Sequence, residues 1–139
     1  MTRLEHANIT VPDIDAAIAF LSVVAPNFRI RHDALAEQGY RWAHVGNDDF
    51  YIALQEPHVG IDPLPPQPSY TNLGVNHLGL VVQGIDGITR QLDDEGYRIS
   101  YATERGPHRS RAYYYDRAGF EWELIEYHSA DPAERNRYS

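Results

Sequence analysis

The chain has 139 residues, no cysteine and a formal net charge of −8. The acidic balance argues against binding to nucleic-acid phosphates, and the lack of cysteine excludes disulfides and thiolate metal sites. No apolar stretch is long enough to span a bilayer, and the first residues lack the apolar segment of a signal peptide. We therefore expect a cytoplasmic protein of about one domain's length that contacts neither nucleic acid nor membrane.

The first half of the chain predicts one helix among four strands. The elements follow the order strand, helix, strand, strand, strand, at residues 4–11, 16–21, 28–33, 40–45 and 50–55. Asp13 or Asp15 is the expected N-cap of the helix, which stops near Pro26. Gly39 and residues 46–49 form the turns between the later strands. The predicted unit is therefore βαβββ.

A proline-rich segment separates this half from the next. Residues 57–73 contain five of the nine prolines, which predicts a semi-rigid connector. The second half then repeats the order of elements, at residues 76–82, 86–95, 97–102, 111–115 and 120–127. Gly96 ends its helix, and residues 116–119 form its last turn. The polar tail at residues 130–139 is expected to fray.

The two halves also match residue by residue. At an offset of 77 − 6 = 71 residues, four identities coincide, namely His6 with His77, Val11 with Val82, Ile14 with Ile85 and Asp15 with Asp86. The last strands agree as well, since Tyr51-Ile52-Ala53-Leu54 aligns with Glu121-Trp122-Glu123-Leu124. This pattern indicates two copies of one supersecondary unit. Each copy opens with a histidine, a common metal ligand.

Two motifs of the second half are similar to those of a known superfamily. They are the strand His77-Leu78-Gly79-Leu80-Val81-Val82 and the ending Asp116-Arg117-Ala118-Gly119-Phe120-Glu121-Trp122-Glu123-Leu124. Both resemble the vicinal oxygen chelate superfamily, which includes glyoxalase I, fosfomycin-resistance proteins, extradiol dioxygenases and bleomycin-binding proteins. The resemblance implies an α+β fold in which two βαβββ repeats, residues 2–56 and 74–128, form a single domain. Their curved mixed sheets would form a cleft.

The resemblance also implies a metal site. In this superfamily the ligands come from the first and last strand of each unit, which here selects His6, His77 and Glu123. Ala53 stands where glyoxalase I-like proteins have a glutamate, which disfavours lactoylglutathione lyase activity. Gln55 shares a strand face with Ala53 and is a possible fourth ligand. Two histidines and one carboxylate suit Fe(II), and such ligands also permit Mn(II), Ni(II), Co(II) or Zn(II).

Tyr113 is the second expected catalytic residue beside Glu123. It lies ten residues before Glu123, where fosfomycin-resistance proteins and extradiol dioxygenases have a tyrosine that contacts substrate. Its phenol could hydrogen-bond a substrate oxygen or an oxyanion, and Tyr115 shares its strand face. The alternative is that this run of three tyrosines only packs a half-buried strand.

A basic loop is predicted just before that strand. It contains His108, Arg109 and Arg111. Arg111 is a candidate for binding an anionic group of the substrate, and His108 is a possible general base. The alternative is a solvated loop without a role.

Three functions remain open at this point. The favoured one is a metalloenzyme of the glyoxalase/dioxygenase type, in which a divalent metal chelates a small oxygenated substrate. The second is a metal-free protein that sequesters a small molecule, as bleomycin-resistance proteins do. The third is an interaction module whose cleft is vestigial. Relatives of this length usually dimerise, so we expect a homodimer, with each site built within one chain or across the two-fold axis.

Overall fold

The computed structural model describes residues 1–62, 70–71 and 73–138. The chain divides into two compact units, Met1–Gln67 and Pro68–Ser139. The described residues of the predicted connector form no helix or strand. The rest of the connector, residues 63–69 and 72, lies outside the described residues.

Unit 1 has the predicted βαβββ order. Its elements are β1 (His6–Thr10), α1 (Ile14–Val24), β2 (Arg29–Leu35), β3 (Arg41–Gly46) and β4 (Tyr51–Gln55). The sheet order is β1-β4-β3-β2, with β1 parallel to β4 and the other pairs antiparallel. Asp13 is the N-cap of α1, because its side chain accepts a hydrogen bond from the Ala16 N–H at 3.0 Å.

Unit 2 repeats this topology. Its elements are β5 (His77–Val81), α2 (Ile85–Asp94), β6 (Ile99–Arg105), β7 (Arg109–Tyr115), β8 (Glu121–Tyr127) and α3 (Pro132–Arg135). The sheet order is β5-β8-β7-β6, with β5 parallel to β8. The tail forms the single turn of α3, capped by Asp131, where sequence reasoning expected fraying. The predicted α+β class with two βαβββ units is confirmed.

The core of each unit lies between its sheet and its helix. Helix α1 packs against β3 and β4, and α2 packs against β7 and β8. Alternate residues of the last strand are fully buried, with Ile52 and Leu54 in β4 and Trp122 and Leu124 in β8. Successive strand residues point to opposite faces, so the residues between them lie on the face away from the helix.

The turn before β8 explains the Asp-x-x-Gly motif. The Asp116 carboxylate accepts hydrogen bonds from the backbone N–H groups of Ala118 and Phe120, at 3.0 and 3.1 Å, and from the Trp122 indole at 3.2 Å. Gly119 adopts a φ of 95°, which favours glycine. The motif therefore orients the strand that carries Glu123.

Strand β7 begins earlier than the sequence indicated. Arg109 pairs with Tyr127 in the β7–β8 ladder, so the prediction of a loop at Arg109 was wrong. Arg111 lies in the strand predicted at residues 111–115 and not in the basic loop to which it was also assigned. Alternation places Arg109, Arg111 and Tyr113 on one face, while Ser110 is buried on the other. The basic residues are thus aligned with Tyr113.

No helix in the described part of the chain is both long and apolar enough to cross a membrane.

Candidate functional site

Three neighbouring strands of unit 2 bring His77, Tyr113 and Glu123 together. In the parallel β5–β8 pair, His77 lies opposite Glu121 and Gly79 lies opposite Glu123. In the antiparallel β7–β8 pair, Tyr113 lies opposite Glu123. The central strand β8 therefore presents its carboxylates between the histidine of one neighbour and the tyrosine of the other.

The Glu123 carboxylate contacts both neighbours, one with each oxygen. Its Oε2 lies 3.0 Å from His77 Nε2, and its Oε1 accepts a hydrogen bond of 2.7 Å from the Tyr113 hydroxyl. The side chains of His77 and Glu123 are only 24% and 12% exposed. Burial and the hydrogen bond to Glu123 raise the pKa of Tyr113. The phenol therefore stays protonated at neutral pH and remains a donor.

Tyr70 also belongs to this network. It lies in the predicted connector, and the sequence did not mark it as a site residue. Its hydroxyl lies 3.1 Å from His77 Nδ1, and its ring packs edge-on against those of His77 and Tyr101. A partner at Nδ1 orients the imidazole and leaves Nε2 directed at Glu123. No sequence pattern marks this tyrosine, because the contact depends on the path of an irregular segment.

Glu121 is a second carboxylate of the site that sequence reasoning missed. It is 1% exposed, and Ser100 Oγ donates a hydrogen bond of 2.8 Å to its Oε1. Within the described part of the chain, Glu121 Oε2 has no hydrogen-bond partner. Glu121 and Glu123 share a strand face, and the side chains of both are largely shielded from solvent.

Tyr115 and Arg111, the other predicted substrate residues, lie on the same face of β7 as Tyr113. The Tyr115 hydroxyl lies 3.2 Å from Ser100 Oγ, and the centre of its ring lies 3.8 Å from the Arg98 guanidinium carbon. Arg111 forms an ion pair of 2.5 Å with Glu104. Both side chains are thus held in place by neighbours of the same unit.

In unit 1 the corresponding strands carry different chemistry. His6 lies opposite Tyr51, and Asn8 lies opposite Ala53. This register matches that of unit 2, so Ala53 does occupy the position equivalent to Glu123. The His6 ring stacks on Tyr51 at 4.9 Å, and its Nδ1 contacts the Glu5 carboxylate.

A pocket of about 110 Å³ lies beside Ala53 in unit 1. Its lining includes Asn8, Tyr40, Trp42, His44 and Gln55. Gln55 thus shares the surroundings of Ala53, as strand alternation predicts.

His44 lies in the middle of that face of unit 1. It pairs with Ala53 on one side and with His32 on the other. Burial lowers the pKa of His44, and the positive charges of His32 and Arg31 lower it further. The sequence left the orientation of His44 open, and the register of β2 and β3 was the missing information.

The donor set of unit 2 fits a divalent metal. Bonds of about 2.1 Å to adjacent corners of an octahedron separate two donor atoms by about 3 Å, which is the observed spacing of His77 Nε2 and Glu123 Oε2. The Tyr113 hydrogen bond to the other carboxylate oxygen is the kind of contact that orients a ligand.

Among the residues the structure describes, no group of three or more His, Cys, Asp or Glu side chains is placed to hold a metal. His6 lies in unit 1, and its role as a ligand stays a prediction.

Comparisons with known proteins identify the family. A family model described as the Glyoxalase/Bleomycin resistance protein/Dioxygenase superfamily matches residues 3–124. No curated protein matches the chain.

Solved structures share the fold at low sequence identity. The glyoxylase/bleomycin resistance protein/dioxygenase domain from Frankia sp. EAN1pec has a TM-score of 0.74 and 18% identity, covering 94% of this chain and 96% of that one. Fosfomycin resistance protein FosX from Listeria monocytogenes, complexed with Mn(II) and sulfate, has a TM-score of 0.65 and 17% identity, covering 99% of each chain. The trypanothione-dependent glyoxalase I of Leishmania major has a TM-score of 0.68 and 19% identity, covering 91% and 87%. Because the family match spans most of the sequence, the chain belongs to the Glyoxalase/Bleomycin resistance protein/Dioxygenase superfamily.

Proposed function

We propose that the protein is a divalent-metal-dependent enzyme that acts on a small oxygenated substrate. The observation that carries this proposal is the Glu123 carboxylate, held between His77 Nε2 and the Tyr113 hydroxyl. His77 and Glu123 would hold the ion together with His6, and Gln55 is the candidate fourth ligand. This assignment requires a unit 1 and a unit 2 to meet, within one chain or across the two-fold axis of a dimer. We also propose that the two units of a chain form one domain.

A bound divalent ion would supply a Lewis acid that polarises substrate oxygens and stabilises developing negative charge. The candidates are Fe, Mn, Ni, Co and Zn, since the donors are nitrogen and oxygen. The presence of Mn(II) in the Listeria FosX structure supports a divalent ion at this fold.

The remaining residues position the carboxylate and the substrate. Tyr113 donates its one proton to an oxygen of Glu123, and its raised pKa keeps the phenol protonated in this hydrogen bond. Its oxygen would contact a substrate hydroxyl as an acceptor. Tyr115 and Arg111 extend the same strand face and would contact the rest of the substrate. Ala53 offers no carboxylate, so a reaction that needs a glutamate from both units, as lactoylglutathione lyase does by resemblance, is disfavoured.

We further propose a homodimer, because proteins of this superfamily and length commonly dimerise. A small molecule is the expected partner, and a cytoplasmic location is our expectation from the composition.

Metal analysis of the purified full-length protein tests the proposal. After exposure to Fe(II), Mn(II), Ni(II), Co(II) or Zn(II), we expect about one ion per chain. His77→Ala and Glu123→Gln should each weaken binding by at least on the order of a hundredfold. Glu37→Gln removes an exposed carboxylate from the β2–β3 turn and is the matched control. Two results would overturn the proposal of a metal-dependent enzyme: wild-type protein that stays metal-free, or a Glu123→Gln variant that binds metal as tightly as the control.

The reaction itself requires a substrate screen. Vicinal diols, 2-oxoaldehyde–thiol adducts and catechols represent the substrate classes of the superfamily. Turnover that depends on added metal and is lost in Glu123→Gln is the expected result.

A second candidate is a metal-free protein that binds a small molecule. The observation in its favour is that the described residues contain no group of three potential metal ligands. Tight binding of a screened compound after chelator treatment, unchanged in Glu123→Gln, would favour this candidate.

A further inference from the structure

A pocket of about 160 Å³ lies in unit 2, at the Arg109 end of strand β7. This volume is several times the ~30 Å³ that one water molecule occupies in the liquid, so a carboxylate or phosphate group fits with water. Its charged and polar lining residues are Glu104, His108, Arg109, Arg111, Arg137 and Tyr138. We call it the arginine pocket.

The arginine pocket is positive within an acidic chain. Three arginines face a single carboxylate, that of Glu104, although the whole chain carries a formal net charge of −8. Arg111 alone among the three pairs with this carboxylate. A ligand of opposite charge is therefore expected here rather than a cation.

Arg109 and Arg137 are not among the five of the twelve arginines that form an ion pair within the described residues. Arg3, Arg29, Arg41 and Arg105 each form an ion pair with an aspartate. By contrast, neither Arg109 nor Arg137 pairs with a carboxylate anywhere in the part of the chain that the structure describes. Their charges are available to a ligand.

The Arg109 guanidinium contacts the tail and two aromatic rings. It donates a hydrogen bond to the Arg137 carbonyl and lies 4.7 Å from the centre of the Tyr138 ring and 5.7 Å from that of Tyr127. The planar fork of a guanidinium suits carboxylate and phosphate oxygens.

The arginine pocket adjoins the candidate site along one strand face. Arg109, Arg111 and Tyr113 alternate with buried residues of β7, and residues two apart in a strand are separated by roughly 7 Å. Arg109 lies four residues from Tyr113, so a ligand that reaches from Arg109 to Tyr113 has to span roughly 13 Å of strand, with Arg111 between them.

We propose that the arginine pocket binds the oxyanion group of a small acidic ligand, a carboxylate or a phosphate. Arg109 and Arg137 supply the hydrogen-bond donors. Arg111 is a further positive side chain between Arg109 and Tyr113 on the same strand face. Resting on the proposed function, this makes the substrate an oxygenated acid whose acidic end lies at the pocket and whose oxygenated end lies at Glu123.

Titration of the full-length, chelator-treated protein with inorganic phosphate, followed by NMR of the backbone amides, tests the proposal. We expect saturable shifts centred on Gly106, Arg109 and Arg137. Arg137→Gln, in an exposed residue, should weaken binding on the order of tenfold. Glu104→Gln should tighten binding, because it removes the one negative charge of the pocket. Arg135→Gln, a neutralised arginine of α3 that does not line the pocket, is the matched control and should bind as wild type does.

Equal weakening by Arg137→Gln and Arg135→Gln, shifts that never saturate, or no effect of Glu104→Gln would overturn the site. A parallel titration with acetate distinguishes the ligand classes: tighter phosphate binding assigns a phosphate group, and tighter acetate binding assigns a carboxylate. Metal binding is measured separately. Phosphate binding with no metal binding would refute the metalloenzyme and keep the pocket, and the reverse result would refute the pocket alone.

Discussion

Units 1 and 2 share one topology but present different side chains on the sheet face away from their helix. In unit 1 this face is imidazole and aromatic, with His6, His32, His44, Trp42 and Tyr51. In unit 2 it carries carboxylates, phenols and arginines, with Glu121, Glu123, Tyr113 and Arg111. The helix-facing core has kept its pattern while the other face has diverged, so the chemistry depends on the face and not on the fold.

The two units differ most clearly at one pair of facing positions on the first and last strands. In unit 2 the small residue is Gly79 on the first strand, and a Cβ built there would lie 3.5 Å from Glu123 Oε2. In unit 1 the first strand has Asn8 and the small residue is Ala53 on the last strand. Unit 2 thus has a carboxylate beside its small residue, whereas unit 1 has a pocket there.

The largest expected effects concern the equivalent core residues Trp122 and Ile52, both fully buried. Trp122→Ala should cost about 3–5 kcal/mol of unfolding free energy and Ile52→Ala about 2–5 kcal/mol. If the two units form one domain, thermal unfolding followed by circular dichroism shows a single cooperative transition, and each variant lowers its midpoint temperature. Two transitions, with each variant shifting only its own, would refute the single domain.

Removing one hydroxyl from each unit comes next. Tyr113→Phe deletes the hydrogen bond to Glu123, and we expect metal affinity to fall about 10–100-fold, as for other residues that orient a metal ligand. Tyr51→Phe is the matched change in unit 1, where the ring stacks on His6, and should alter affinity less than about twofold. Calorimetric titration of each variant with metal measures the two affinities. Similar affinities would show that Tyr113 does not orient the carboxylate.

Restoring a carboxylate to unit 1 should make the two units more alike. We expect Ala53→Glu to raise metal affinity on the order of tenfold, because it adds a charged oxygen ligand at the position equivalent to Glu123. Ala53→Gln fills the pocket similarly without the charge. Equal affinities for these two variants would place Ala53 outside the metal site.

Unit 1 should also be sensitive to mild acid. The folded state lowers the pKa of His44 below its usual 6.5, chiefly by burial. The unfolded chain therefore binds more protons as the pH falls through 6.5, and the free energy of unfolding decreases. Urea unfolding at about pH 7.5 and about pH 5.5 should show a larger loss of stability in wild type than in His44→Gln. An equal loss would contradict the assignment.

Much of the architecture could be predicted from sequence. The offset between His6 and His77 predicted two units, and Asp13 was one of two expected caps. The alignment of Ala53 with Glu123 agrees with the strand registers. These features are local or repeated, so a single chain reveals them.

Other features of the site depend on contacts that no local pattern encodes. Tyr70 reaches His77 from an irregular segment, and the buried oxygen of Glu121 depends on Ser100 from another strand. The start of β7 at Arg109 depends on pairing with Tyr127, a residue of another strand. Arg137 joins the arginine pocket only because the tail folds back.

The central claim is that the Glu123 carboxylate and the His77 imidazole bind one divalent ion. Anomalous diffraction from crystals grown with Mn(II) tests it most directly. We expect one anomalous peak within bonding distance, about 2.0–2.3 Å, of His77 Nε2 and Glu123 Oε2, with His6 of the same chain or of a second copy as the third ligand. A peak bonded to neither residue, or no peak in protein that is folded and saturated with Mn(II), would contradict the claim.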